Sequence, residues 1–188
     1  MGNANDKLQS SPSVRVWDLG VRLFHWSLVA GVAASYLSEN ERFLHKTLGY
    51  IVMGLIAFRL IWGFVGTYHA RFVNFVPGPG RLVRYLSDIA QHREARYLGH
   101  SPAGGAMIVA VLATLAAIGT TGYMMGMKAF FGADWVEGLH EACVNVLLLL
   151  IVLHLSGVAI ASLRHRENLV RSMVTGHKPL HDRDTTQE

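Results

Sequence analysis

Four of the ten histidines in this chain of 188 residues lie within or beside strongly apolar segments. Two of them, His140 and His154, bracket an almost wholly apolar run. Fourteen residues of α-helix turn through about 1400°, close to four full turns, and advance about 21 Å. The two imidazoles therefore share one face of the predicted helix and lie at two levels along it. An ionisable side chain inside a membrane segment is costly, and each is therefore a candidate functional residue.

The other two histidines fit the same two levels. His25 comes early in the first apolar segment, and His45 stands at the start of the second, which runs in the opposite direction. We therefore expect His25 at the level of His154, and His45 at the level of His140. Bundles commonly hold cofactors between side chains of facing helices. Any one of these histidines could instead form only a hydrogen bond between helices. That alternative is disfavoured because all four fall on matching levels and faces.

Paired imidazoles indicate haem more than any other metal centre. Zinc and copper usually take three or four protein ligands, often with Cys or carboxylate among them. Haem iron needs only two, because the porphyrin supplies four nitrogens, and its apolar macrocycle suits a lipid-embedded bundle. The sequence has one cysteine, Cys143, and no C-x-x-C-H motif, which excludes the standard covalent attachment of c-type haem. Two bis-histidine haem b groups are therefore predicted, and with both axial positions filled they favour electron transfer over oxygen activation.

Two arginines are candidates to bind the propionate groups of the inner haem, which are anionic. Arg59 follows His45 by fourteen residues and is therefore expected at the inner level on a similar face. Arg22 precedes His25 by about one turn. We predict that both contact propionates, and the alternative for each is a side chain that extends to the lipid headgroups.

The apolar segments are long enough to cross a membrane. The chain is 51% hydrophobic and only 16% charged, whereas soluble domains contain about 25% charged residues. A spanning helix needs about 20 mostly apolar residues. Four segments qualify, the first of them extending back to Leu19, and they cover residues 23–38, 47–66, 103–123 and 142–163. The long leader before the first segment and the three segments after it disfavour a signal peptide.

The sequence therefore predicts an all-α integral membrane protein. Its four-transmembrane-helix bundle, the membrane cytochrome domain, covers residues 14–178. The polar ends, 1–13 and 179–188, are predicted to be disordered. Membrane lipids are accordingly an expected partner of the chain.

The distribution of basic residues predicts the orientation of the bundle. Lys and Arg are concentrated before the first segment, between the second and third, and after the fourth. The two other connections, 39–46 and 124–141, hold only Arg42, Lys46 and Lys128. By the positive-inside rule, both termini and the middle loop are cytoplasmic. We attribute the net charge of +4 to the basic residues of these cytoplasmic segments and not to nucleic-acid binding.

Two basic stretches outside the apolar segments have the pattern of short amphipathic helices. Residues 81–93 follow a turn signal at 77–80 and predict a helix on the inner membrane surface. Residues 166–178 have a similar pattern, and a basic helix in solvent is the alternative for both. The remaining histidines are expected to be mostly solvated, in loops or in the tail: His69, His92, His100, His165, His177 and His181.

Several motifs resemble the bacterial cytochrome b561 family, which includes the b-type cytochrome subunits of nickel-iron hydrogenases. They are RVWDLGVRLFHW, HKTLGYIVMGLIAFRLIWGFVG, HARFVNFVPGP, YLGHSPAGG, LHEACVNVLLLLIVLHLSG and RENLVRSMVTGHK. The resemblance runs from about Val14 to Lys178 and implies four transmembrane helices, two b haems and a place in respiratory electron transfer. In the family, the first and second helices give one haem ligand each and the fourth gives two. The matching positions are His25, His45, His140 and His154.

The resemblance leaves three functions open. The leading hypothesis is a di-haem cytochrome of the bacterial inner membrane that carries electrons between quinone, either ubiquinone or menaquinone, and a redox partner. That partner would be a dehydrogenase, a hydrogenase or a cytochrome c, as in other family members. One self-contained member oxidises superoxide and reduces ubiquinone, and a superoxide:quinone oxidoreductase is therefore the second hypothesis. The third is a haem-free membrane subunit or transporter.

Overall fold

The computed structural model describes residues 13–180, most of which lie in four long helices. In chain order these are α1 (Leu19–Leu37), α2 (Arg42–Val65), α5 (Pro102–Met124) and α6 (Asp134–His165). All four helices predicted from the apolar segments are present. Helix α6 begins earlier than predicted because its first turn is polar, and Asp134 and Glu137 in that turn stabilise the positive end of the helix dipole.

Short elements connect and flank the long helices. They are helices α3 (Phe72–Phe75), α4 (Pro79–Ala90) and α7 (Leu169–Thr175), the 3-10 turns Tyr68–Ala70 and Lys128–Phe130, and strands β1 (Ser13–Arg15) and β2 (His177–Pro179). Helix α4 coincides with the amphipathic helix predicted at 81–93, and none of its residues is buried. Helix α7 occupies the middle of the second basic stretch.

Three of the long helices have the length and hydropathy of membrane spans. Mean hydropathy over the most apolar window is 1.9 in α2, 2.0 in α5 and 2.6 in α6. Helix α1 does not reach the same standard, because Arg22, His25 and Trp26 lower its hydropathy. Its 19 residues still extend about 28 Å, close to the 30 Å or so of a bilayer core. The chain is thus a multi-pass membrane protein.

The long helices form two hairpins that are joined through α2 and α5. Helix α1 packs against α2, α2 against α5, and α5 against α6, whereas α6 makes at most slight backbone contact with α1 and α2. The core is small and draws on all four helices: Phe24, Val52, Ile56, Leu112, Leu115 and Leu147. Many large apolar side chains lie on the surface instead, as expected for a bundle whose solvent is lipid.

The two ends of the described chain meet in an antiparallel ribbon of β1 and β2, in which Val14 pairs with Lys178. This ribbon is an addition to the predicted all-α fold, because strands of three residues leave no readable alternation in the sequence. It includes Ser13 and Pro179, the innermost residues of the two tails for which disorder was predicted. Residues 1–12 and 181–188 lie outside the described part of the chain.

The middle loop returns to the same end of the bundle and is bound to the tail. The Arg96 guanidinium donates to the Glu167 carboxylate at 2.9 Å, and the Lys178 ammonium pairs with the same carboxylate at 3.4 Å. Lys178 also donates to the carbonyl of Tyr97 at 3.2 Å. Both tails and the middle loop thus meet at one end, which we call the inner end, and the opposite end is the outer end.

Candidate cofactor site

The inner histidine pair consists of His25 on α1 and His154 on α6. Their ring centres lie 6.5 Å apart, with the ring planes inclined at 52°. Helices α1 and α6 barely touch elsewhere, and the two side chains therefore reach toward one another across a gap between the hairpins. This is the pairing predicted from the spacing of the histidines.

The outer histidine pair consists of His45 on α2 and His140 on α6. Their ring centres lie 6.4 Å apart and their planes are inclined at 70°. Nδ1 of His45 lies 2.8 Å from the carbonyl oxygen of Ser35, to which it donates its proton. The neutral imidazole then carries its lone pair on Nε2, the nitrogen that is free to bind a metal.

A threonine orients His140 in the same way. The Thr121 hydroxyl lies 2.9 and 3.0 Å from the carbonyl oxygens of Ala117 and Ile118, and its own proton is donated there. Its oxygen therefore accepts a hydrogen bond from Nδ1–H of His140, 2.9 Å away. Both outer histidines thus present Nε2 as a lone-pair donor, and such outer-shell hydrogen bonds are typical of metal-bound histidine.

The ring separations fit a metal ion between each pair. Two metal–nitrogen bonds of about 2 Å, each extended by about 1.2 Å from nitrogen to ring centre, place the ring centres roughly 6.4 Å apart. A direct N–H···N hydrogen bond of about 2.9 Å would place them roughly 5.3 Å apart. Within residues 13–180, no group of three or more His, Cys, Asp or Glu side chains could hold a metal ion. The donor set is therefore two imidazoles per level, which suits an ion whose other ligands come from a macrocycle.

Arg59 is buried at the inner end and does not extend to the lipid headgroups. It is only 2% exposed, and its Nη2 donates to the Ala70 carbonyl at 3.1 Å. Its guanidinium lies over the rings of Phe72 and Phe75, at 4.9 and 5.7 Å from their centroids. Its Nη1 is buried and has no hydrogen-bond partner among the described residues. That nitrogen is suited to an anionic group such as a propionate.

Arg22 lies at the inner end as well, beside the tail. A Cβ added to Gly176 would lie 2.8 Å from Nη1 of Arg22, and Gly176 has the positive φ of 85° that favours glycine. The Nε atom of Arg22 is buried without a partner in the described chain. Both arginines predicted as propionate ligands thus keep an unused buried donor.

His100 is a candidate site residue that the sequence interpretation missed, because it was predicted to be solvated. Its ring packs against those of Trp17 and Phe75, with both centroid distances 4.5 Å and with the planes inclined at 54° and 42°. Its Nδ1 is buried and lacks a hydrogen-bond partner in residues 13–180. Burial, together with the smaller effect of the positive charge of Arg59, lowers the pKa of the His100 imidazole to about 3.

Nothing in the sequence gives a reason to select His100, because its spacing from the other histidines matches no shared helix face. The residue belongs to the motif YLGHSPAGG; it is half-buried, and its ring contacts side chains from distant parts of the chain. The prediction of solvation fits His92 and His177, which are exposed. His69 and His165 are half-buried, and His181 lies outside the described residues.

The profile of the family described as prokaryotic cytochrome b561 matches residues 16–176. The chain belongs to this family. As a cytochrome b561 family member it is a b-type cytochrome of electron transport, and haem b is the group that the paired imidazoles fit. The match covers α1, both histidine pairs and the inner end as far as Gly176.

Curated relatives match this cytochrome over nearly their whole length. A protein of Rhizobium leguminosarum bv. viciae, named "Probable Ni/Fe-hydrogenase B-type cytochrome subunit", is 21% identical over 95% of this chain and 94% of its own. Proteins of the same name from Azotobacter chroococcum mcd 1 and Bradyrhizobium diazoefficiens are 22% and 23% identical, over 96% and 95% of this chain and 95% and 91% of their own. No solved structure gives a significant match.

Proposed function

We propose that this cytochrome is a di-haem electron carrier of the bacterial cytoplasmic membrane, moving electrons between the quinone pool and a redox partner in a respiratory chain. The observation that carries the proposal is the pair of ring separations, 6.5 and 6.4 Å, which match two axial imidazoles on one iron. His25 and His154 would hold the inner haem, and His45 and His140 the outer haem. Haem iron supplies one-electron redox chemistry when it is bound.

The protein contributes ligation, orientation and charge to this chemistry. Two histidines at each level would hold a haem, and ligation by both would favour electron transfer over reaction with oxygen. The Ser35 carbonyl and the Thr121 hydroxyl accept hydrogen bonds from Nδ1 of the two outer histidines, which leaves Nε2 as the ligating nitrogen of each. Arg22 and Arg59 offer buried N–H groups to propionates at the inner level. Along α6 the two levels are about 21 Å apart, and electrons would pass between them within the bundle.

We propose four transmembrane spans, with α1 as the first and both termini in the cytoplasm. The length of α1 and its packing beside α2 support a fourth span. The meeting of both tails and the middle loop at one end agrees with an even number of crossings. The basic residues of these three segments support a cytoplasmic location for that end.

The redox partner is proposed from the names of the relatives, which are cytochrome subunits of nickel-iron hydrogenases. A hydrogenase, or another dehydrogenase with a soluble catalytic subunit, would exchange electrons with one haem, and ubiquinone or menaquinone with the other. Nothing in the described residues favours superoxide oxidation. Stopped-flow mixing of the purified protein with superoxide, and separately with a short-chain ubiquinol, compares the two donors. Rapid reduction by ubiquinol alone is the expected result.

The experiment that tests the proposal is a reduced-minus-oxidised absorption spectrum of the protein purified from haem-supplied cells, with haem extracted and counted per chain. We expect a b-type spectrum and two haems. A single haem would mean that one histidine pair has a structural role. A colourless protein would overturn electron transfer as the function.

A further inference from the structure

Three buried nitrogen atoms without hydrogen-bond partners in the described chain belong to residues at the inner end. They are Nε of Arg22, Nη1 of Arg59 and Nδ1 of His100. A buried donor without a partner costs free energy, and each such atom in a native fold calls for an explanation. A cluster of three indicates a group with several acceptor oxygens.

Contacts through three further residues join these atoms into one cluster. The Trp17 ring packs against His100 at an angle of 54°. The Trp17 backbone carbonyl would lie 2.7 Å, and Nη1 of Arg22 2.8 Å, from a Cβ at Gly176. Phe75 contacts the His100 ring at 4.5 Å and the Arg59 guanidinium at 5.7 Å. We call Arg22, Arg59 and His100 the inner donor cluster.

The nearby carboxylates are already bound elsewhere. Asp18 interacts electrostatically with Arg59, but it accepts hydrogen bonds from the Val21 amide, the Trp62 indole and the Thr67 hydroxyl. Glu167 is held by Arg96 and Lys178. Asp18 offsets part of the positive charge of Arg59, but no carboxylate oxygen of the described chain accepts a hydrogen bond from the three buried nitrogen atoms. An anion with free acceptor oxygens is therefore the ligand that the inner donor cluster suits.

The position of the cluster identifies the anion. Arg22 precedes His25 by three residues, and it therefore lies about one helical turn to the inner side of the inner histidine pair. Haem held by His25 and His154 carries two propionates, whose carboxylates have the charge and the acceptor oxygens that the cluster lacks.

We propose that His100 is a positioning residue of the inner haem, donating its Nδ1–H to a propionate that Arg22 and Arg59 also bind. This inference rests on the proposed di-haem function and adds a residue that no spacing argument selects. The neutral imidazole is the form that donates one proton from Nδ1, and burial keeps His100 in that form. Packing between Trp17 and Phe75 fixes the ring and hence the direction of the N–H.

The electrostatic consequence is a change in the potential of one haem. A donor that neutralises part of a propionate charge reduces the negative field at the iron, and it thereby favours the reduced state. Hydrogen bonding and nearby charge are established controls of haem potential. Removing the His100 donor is therefore expected to lower the potential of the inner haem and to leave the outer haem unchanged.

The test is a spectroelectrochemical titration of the purified holoprotein, with the inner haem assigned from the His25→Ala variant. In His100→Leu we expect the one-electron equilibrium of the inner haem to shift toward oxidation at least threefold, which is about 28 mV. In His100→Asn the amide places an N–H near the position of Nδ1, and it should restore most of the potential. His92→Leu, an exposed histidine of the same loop, is the matched control.

The outcomes separate this inference from the proposed function. If His100→Leu leaves both haem potentials unchanged, or shifts both equally, the role of His100 is overturned. The di-haem function would still be upheld if that variant contained two haems per chain. An equal fall of the inner-haem potential in His100→Asn and His100→Leu would also overturn the inference, because the N–H donor would then have no effect on the potential. If His100→Leu loses the inner haem and His100→Asn retains it, the inference is supported. A wild-type protein without haem contradicts the proposed function itself.

Discussion

The imidazole rings of His25 and His154 face each other with 6.5 Å between their centres, although the helices that carry them barely touch. The outer histidine pair repeats the relationship at 6.4 Å between α2 and α6. In both places the separation exceeds that of a direct hydrogen bond and equals that of two ligands on one metal ion. Each pair thus leaves the space that one metal ion with two imidazole ligands needs, as in the proposed haem sites.

The first prediction concerns the pairing of the four histidines. His25→Ala or His154→Ala should remove the inner haem alone, and His45→Ala or His140→Ala the outer haem alone, because each haem loses one of its two axial ligands. Haem counting and redox titration of each variant measure this. His177→Ala, an exposed histidine, should retain both haems. Loss of the same haem in His25→Ala and His140→Ala would disprove the pairing.

The second prediction concerns the hydroxyl that orients His140. Thr121→Val keeps the shape of the side chain but removes the acceptor for Nδ1 of His140, and outer-shell losses of this kind weaken metal binding about 10- to 100-fold. We expect the outer haem to dissociate faster on dilution with an apoprotein acceptor, while the inner haem is unaffected.

Thr120 provides the matched control for that experiment. It is exposed, and its hydroxyl donates only to the Ala116 carbonyl, at 2.8 Å. Thr120→Val should therefore bind both haems like the wild type. If Thr120→Val and Thr121→Val release the outer haem equally fast, the hydrogen bond to His140 has no role in haem retention.

The third prediction concerns the contact between α5 and the segment that carries Phe75. A Cβ at Gly105 would overlap the carbonyl oxygen of Phe75, a backbone atom that cannot rotate away. Gly105→Ala should therefore destabilise the protein by about 1–3 kcal/mol and disturb the inner haem first. At Gly104 a Cβ would come no closer than 3.4 Å to the Ser101 hydroxyl. Thermal unfolding in detergent should show that Gly104→Ala is nearly as stable as the wild type. If Gly104→Ala and Gly105→Ala lose the same stability, the contact with Phe75 is not the cause.

The fourth prediction concerns the pH dependence of the junction between α1 and α2. Burial would raise the pKa of the Asp18 carboxyl, but hydrogen bonds from Thr67, Val21 and Trp62 outweigh it and lower the pKa below the ordinary value of 3.8. A lowered pKa in the folded state means that the charged carboxylate stabilises the fold above the unfolded pKa. That contribution disappears as pH falls through the folded pKa.

Asp18→Asn isolates this charge, because asparagine is also a good helix N-cap. Near neutral pH the variant should be less stable by roughly 1 kcal/mol, after allowance for solvent screening of a half-exposed group. The difference should shrink below about pH 4. Chemical unfolding at a series of pH values measures it, and a difference that stays constant down to pH 2 would rule out the carboxylate charge as its cause.

The sequence predicted the four long helices and the level of each site histidine, because both depend only on local helical geometry. It placed the start of α6 eight residues late, since a polar first turn does not resemble a membrane segment. It missed the ribbon at Val14 and Lys178, whose strands are too short to show a pattern. It also missed His100, whose burial depends on Trp17 and Phe75, far apart in the chain. Contacts of that kind cannot be read from spacing.

The ribbon of β1 and β2 brings the start and the end of the described chain together at the inner end. Any label, fusion partner or subunit joined to either tail is delivered to the same side of the bundle, next to the segment that holds His100. The outer histidine pair lies at the opposite end of the bundle. An assembly that loads electrons at one side and collects them at the other could be built on this chain without its subunits colliding.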